Sequence, residues 1–254
     1  PILVSRDTNT PNEGRARVIY NPVSDHYYVV WHAFTGDQWR IWGQRVSPAG
    51  ALLAGNAMLS TGSGPAQNPH VALNRTTNEY LVVWQDLRNE QTAVYAQRVA
   101  ATGAGLGVNF GVSGTIAGVS RSHVGWSPAS NQFLVAWGER RGQNDDVLAR
   151  RVAADGGLPG AAFEIASGPD GEIAPAVAYD ELGQEFLVAY WVLSPATDYD
   201  VWARRVPVST PPTLPAFPLS QAAEVQTRCE VAYNSRTTEF LTVWQDFRNG
   251  SYDI

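Results

Sequence analysis

The stretch "FLVAWGER", residues 133–140, carries five apolar residues through a glycine into an acid and an arginine. Near-copies stand at 27–34 ("YYVVWHAF"), 80–87 ("YLVVWQDL"), 186–193 ("FLVAYWVL") and 240–247 ("FLTVWQDF"). Their aromatic residues, Trp31, Trp84, Trp137, Tyr190 and Trp244, are separated by 53, 53, 53 and 54 residues. A period of this size marks a chain built from stacked supersecondary units, because one such unit cannot bury its own apolar face.

Each period holds four strand-like pieces. The first alternates apolar and polar residues: "RVIY", "HVAL", "HVGW", "AVAY", "EVAY". A six-residue turn such as "NPVSDH" or "NRTTNE" follows it, and Asp25, Asn78 and Asn131 stand where a left-handed residue closes a bulged hairpin. The second piece is the opening phrase, whose unbroken apolar run predicts a strand buried on both faces. The third is "IWGQRV", "VYAQRV", "VLARRV" or "VWARRV", and the fourth is "AMLS", "FGVS", "FEIA" or "FPLS".

Four antiparallel strands per unit, with no helical period between them, predict an all-β five-bladed β-propeller of four-stranded blades. The expected blades span about 15–60, 68–113, 121–166, 174–220 and 228–254, all within one domain, 1–254. "PILVS" at 1–5 matches a fourth strand, so the N-terminal strand is expected to complete the last blade. That blade is about 15 residues shorter than blade four. The shortfall implies either a longer polypeptide or a strand supplied from elsewhere.

Composition narrows the function classes. A hydrophobic content of 44% with 17% charged residues fits a folded domain, not a disordered one. No apolar run is long enough to span a bilayer. The net charge is -6, and the 18 basic residues, all arginine, are spread along the chain, which argues against nucleic acid. Cys229 is the sole cysteine, so no intrachain disulfide exists.

The phrase "VVWQDLRNEQTAVYAQRV" at 82–99, echoed by "TVWQDFRNGSYDI" at 242–254, resembles the tandem repeats of large secreted bacterial β-propeller proteins. The resemblance implies secretion or cell-surface display. It brings no catalytic residues with it, since its motifs are structural.

Candidate site residues fall in the loops after the second strands. Asp86 with Arg88, Glu139 with Arg141 and Asp246 with Arg248 repeat an acid and an arginine two apart. Such pairs suit hydroxyl-rich ligands, with Trp39 and Tyr199 as stacking surfaces. They equally suit a salt bridge that orders the loop. Asp145, Asp146, Asp198, Asp200 and Asp253 are oxygen donors of the kind Ca²⁺ takes, yet without its loop signature, so no cofactor is expected. His70 and His123 share one repeat position with Arg17, Ala176 and Glu230, which predicts the lining of a central channel.

The expected function is a non-enzymatic extracellular binding module, lectin-like, that recognises glycan or another polymer through the loop face. A structural or assembly module, its last blade completed by another protein chain or segment, is the second reading. A glycoside hydrolase ranks third, because the loop carboxylates recur by blade whereas catalysis needs two carboxyls with different environments.

Overall fold

The computed structural model describes residues 3–5, 12–114, 118–194 and 198–254, which form eighteen strands and no helix. Unit 1 comprises β1 (Glu13–Asn21), β2 (His26–Thr35), β3 (Gln38–Val46) and β4 (Leu52–Met58). Unit 2 comprises β5 (Ala66–Asn74), β6 (Glu79–Asp86), β7 (Ala93–Ala100) and β8 (Gly105–Gly111). Unit 3 comprises β9 (Val119–Ser127), β10 (Gln132–Arg141), β11 (Asn144–Ala153) and β12 (Phe163–Ala166). In unit 4 the strands are β13 (Gly171–Asp180), β14 (Glu185–Ser194), β15 (Asp198–Pro207) and β16 (Phe217–Ser220). Each of these units is a four-stranded antiparallel meander, while unit 5 pairs β17 (Gln226–Asn234) with β18 (Glu239–Asp246), to which Asp253 adds an isolated antiparallel bridge at Asp246.

The first hairpin of a unit is set by its turn residues. Asn21 Oδ1 accepts from the amides of Val23 and Ser24 at 2.9 and 3.1 Å, and Asn74 repeats this with Thr76 and Thr77. The closing residue is left-handed in all five units: Asp25, Asn78, Asn131, Gln184 and Thr238 have φ between 47° and 57°. Asn21 Nδ2 also donates to Asn78 Oδ1 and to the Tyr80 hydroxyl, both at 2.8 Å, so one side chain orders its own turn and ties it to the next unit.

Stacking supplies the core. The apolar run of each second strand faces a neighbouring unit: Tyr28, Val30 and Ile41 pack against Val71, Leu73, Tyr80 and Trp84 across the seam between units 1 and 2. Three further seams join units 2 to 3, 3 to 4 and 4 to 5. Trp84 and Trp137 are fully buried, which explains why the period is marked by an aromatic residue. Cys229 lies inside β17 and faces the last of these seams.

Between units 5 and 1 the corresponding faces stand open among the described residues. Val18 and Tyr20 are 64% and 45% exposed, although their equivalents Val71 and Leu73 are buried, and Leu241 and Val243 are 65% and 40% exposed. The expected completion of unit 5 by the N-terminal strand falls partly outside the described residues. Leu3–Ser5 are described and take no part in a strand.

The first strands begin four residues earlier than the sequence pattern suggests, five in unit 4, and the added segment carries a kink. Register slips between Gly14 and Arg17, Gln67 and His70, Ile173 and Ala176, and Thr227 and Glu230. Within the slips Arg15, Asn68, Ala174 and Arg228 take left-handed φ values of 49° to 55°. The third unit slips at the same level, opposite Trp137 and Glu139. A β-bulge inserts one residue and re-aims the side chain beside it.

Candidate functional site

Register places the loop acids at the same end of the sheets as the start of the first strands. Asp86 pairs with Ala66, Glu139 with Val119 and Asp246 with Gln226. Asp86, 1% exposed, accepts from Trp84 Nε1 at 2.7 Å and from Arg88 Nε and Nη2 at 2.8 Å. The Arg88 guanidinium in turn lies 3.9 Å over the Tyr95 ring. Glu139 accepts from Trp137 Nε1 and Arg141 Nε, each at 3.0 Å. Asp246 repeats the pattern with Trp244 at 3.3 Å and Arg248 at 2.9 Å, and the bond from Arg248 holds its carboxyl below the usual carboxylate range.

These pairs therefore spend their hydrogen-bonding capacity inside their own unit. The acid satisfies a buried indole N–H, and the arginine satisfies the acid. Trp39 packs on His32 and Phe34 at 4.8 and 5.6 Å between centroids, and Tyr199 tilts on Trp191 at 5.3 Å. The structure joins each acid to its own arginine but does not draw the eight residues into one pocket.

The first strands do converge. Glu230 on β17 meets Arg17 of β1 at 2.9 Å and His123 of β9 at 3.4 Å, and the His70 and His123 rings lie 3.4 Å apart. His123 Nδ1 accepts from the Val177 amide at 3.1 Å, so its proton sits on Nε2 and points to Glu230. Burial pushes the Glu230 carboxyl up, but the His123 hydrogen bond and the Arg17 guanidinium outweigh it and hold the group below its ordinary range. Burial, with Arg17 nearby, lowers the pKa of both histidines, and at His123 it does so against the pull of Glu230.

Unit 4 departs from the pattern at the same level. Val192 stands where units 2, 3 and 5 place the acid, and its register partner on β13 is Glu172. Glu172 is 6% exposed, and among the described residues its Oε2 has no hydrogen-bond partner. Burial, with Asp146 and Asp170 nearby, pushes its carboxyl up to about 7. Sequence reasoning passed over Glu172 because "SGPDGEIAP" looks like an ordinary turn; aligning the five units in register is what exposes it.

Among the described residues, no group of three or more His, Cys, Asp or Glu side chains is placed to hold a metal ion. Asp145 pairs with Arg140 at 3.2 Å, and Asp253 accepts from Asn249 at 3.1 Å. Nor is any described helix long and apolar enough to cross a membrane.

No protein-family model and no curated protein matches the sequence. Solved structures do match the fold. The chain is similar to a Hadza microbial sialidase, Hz136, with a TM-score of 0.65 and 7% identity over 93% of this chain, and it spans 53% of that protein. It is similar to a thermostable family-43 glycoside hydrolase, with a TM-score of 0.58 and 11% identity over 94% of this chain and 86% of the other. It is also similar to the catalytic domain of a GH62 α-L-arabinofuranosidase from Coprinopsis cinerea, with a TM-score of 0.57 and 13% identity over 98% and 89% of the two chains. At these identities the likeness establishes a propeller-like all-β fold.

The expectation of a non-enzymatic binding module is corrected here, because the neighbours that share the fold are glycoside hydrolases. Its physical basis fails as well. It rested on carboxylates that recur by unit, and those carboxylates are consumed by tryptophan and arginine. The innermost strands are where the repeat breaks: Glu172 stands level with Glu13, Ala66, Val119 and Gln226, and Glu230 with Arg17, His70, His123 and Ala176. Two carboxyls in unlike environments are present after all.

Proposed function

We propose that the protein is a carbohydrate-active enzyme of glycoside-hydrolase type, with glycan entering at the loop-face end of the innermost strands. The observation that carries this is the contrast between two glutamates on neighbouring first strands. Glu172 is held protonated to about pH 7 by burial and acidic neighbours, and Glu230 is held ionised by Arg17 and His123. Environments that push two carboxyls apart are what assign acid and base roles in glycoside cleavage. Glu172 gives its proton to the leaving glycosidic oxygen. Glu230 supplies the negative charge that stabilises the developing oxocarbenium centre, and a water molecule then forms the new bond to that carbon and returns a proton to Glu172.

The finer architecture of this reading is a five-unit wheel whose first and last inner strands are drawn together by the Arg17–Glu230 bridge. The setting is the secreted bacterial repeat protein that the "VVWQDLRNEQTAVYAQRV" phrase resembles.

Assay of purified protein against a panel of glycosides and polysaccharides tests the reading. Wild type is expected to release reducing sugar, with an alkaline limb of kcat/KM near pH 7 where Glu172 loses its proton. Glu172→Gln should lower kcat about 10²- to 10⁴-fold without lowering the melting temperature. Absence of hydrolysis across the panel, or a fully active Glu172→Gln protein, removes the proposal.

A further inference from the structure

Two residues toward the loop face from the Arg17–Glu230–His123 contact, the same three strands carry Arg15, Arg121 and Arg228. At the lower level β1, β9 and β17 are close enough for one carboxylate to touch both a guanidinium and an imidazole. At the upper level the acid is gone. The equivalent positions of units 2 and 4 hold Asn68 and Ala174, and none of the three arginines has a carboxylate partner within ion-pair distance among the described residues.

Each of the three also sits at the bulge of its strand, where Arg15 and Arg228 have φ of 49° and 52°. Left-handed backbone is costly for a residue with a Cβ, and places like this point to a function when they gather at one end of a site. Arg121 is half-buried, and burial together with the fields of Arg15, Arg228 and Arg17 lowers its pKa. Glu230, one level below, offsets this in part, but among the described residues no carboxylate reaches ion-pair distance of the three like charges.

We infer that Arg15, Arg121 and Arg228 bind the anionic group of an acidic glycan, so that the substrate is a sugar bearing a carboxylate or a sulfate ester. This rests on the glycan-cleaving reading above and narrows it from sugar to charged sugar. Guanidinium forks match the geometry of both anions, and a planar fork on a strand re-aimed by a bulge can meet one in the channel mouth. Neutral sugars would leave the three cations uncompensated.

The test uses the full chain carrying Glu172→Gln, so that binding is read without turnover. Titration calorimetry would compare a uronate oligosaccharide, a sulfated oligosaccharide and their neutral counterpart at two salt concentrations. Binding of at least one anionic sugar, weakened by salt and absent for the neutral one, is expected. The arm that binds identifies the anion. Adding Arg121→Ala, Arg15→Ala or Arg228→Ala should each weaken that binding roughly tenfold or more. Arg121→Lys, which keeps the charge and loses the fork, should fall between. Because removing one of three repelling cations relieves strain, the arginine variants should melt no lower than their parent.

Equal binding of the neutral sugar, no binding of either anion, or binding unchanged by all three substitutions overturns the inference. The two readings can fail separately. Binding of an anionic sugar by a wild type that hydrolyses nothing upholds the arginine site and removes the enzyme. Hydrolysis of neutral glycans undiminished by the arginine variants does the reverse.

Discussion

Asp86 in unit 2 and Glu172 in unit 4 are acids at one level of their sheets, 1% and 6% exposed, and they have opposite electrostatic fates. Asp86 sits on the second strand with an indole N–H on one side and the Arg88 fork on the other. Glu172 sits across the ladder on the first strand, opposite Val192, with Asp146 and Asp170 as its nearest charges. Burial alone decides nothing about such a group. Paired with a cation, it stays ionised; left with other acids, it keeps its proton and can donate it.

Four experiments break or sharpen that contrast. The largest effect belongs to the scaffold side: Trp84→Ala empties a fully buried site and removes the donor to Asp86, and should cost about 3–5 kcal/mol in urea denaturation. Asp86→Ala strands the Arg88 guanidinium, whose side chain is 17% exposed, and should cost about 3 kcal/mol by the same measurement. Equal stability of Asp86→Ala and wild type would show that the pair does not hold the loop.

Glu172→Gln should behave in the opposite way. The folded-state pKa of Glu172 is raised, so its protonated form favours the fold fully below the ordinary value of 4.5, and that contribution is lost as pH rises through about 7. Melting curves should therefore show the variant gaining on wild type from pH 4.5 to 7 and holding a constant lead above. A lead that shrinks with pH would reverse the assignment. The smallest effect is at the rim: Glu79→Gln, which removes the 2.8 Å bridge to Arg98, should change stability by no more than about 1 kcal/mol.

The fold was legible because it repeats. A large aromatic residue every 53 or 54 residues, an apolar second strand and Asn or Asp at the hairpin corner each follow from one local requirement, and the left-handed corners at Asp25, Asn78 and Asn131 fall where those side chains predict. Gln184 and Thr238 adopt the same conformation without advertising it, since the ladder on either side imposes it. The open faces of units 5 and 1 had no signature, because Val18 and Leu241 read as core by pattern and differ from Val71 and Leu81 only in having no neighbour.

The site was hidden for the converse reason. The eye is drawn to what recurs, and the Asp–Arg and Glu–Arg pairs recur because every unit with a tryptophan and room for an acid benefits from the same bond. Glu230 is the one acid at its level and Glu172 shares its level with Glu13 alone, while Arg15 and Arg228 lie in segments that read as loop until the bulge is seen. Where acid and tryptophan do not coincide, as at Trp31 with Ala33, the buried indole nitrogen has no partner among the described residues, in keeping with a local pairing rule.

The slipped residue on each innermost strand is held by the backbone, and arginine, asparagine and alanine all occupy it without disturbing the stacked sheets. The molecule thus possesses a set of interchangeable sockets around its hub, separate from the contacts that keep it folded. On the reading that these positions meet an acidic glycan, selectivity can be rewritten one socket at a time without passing through a weakened scaffold.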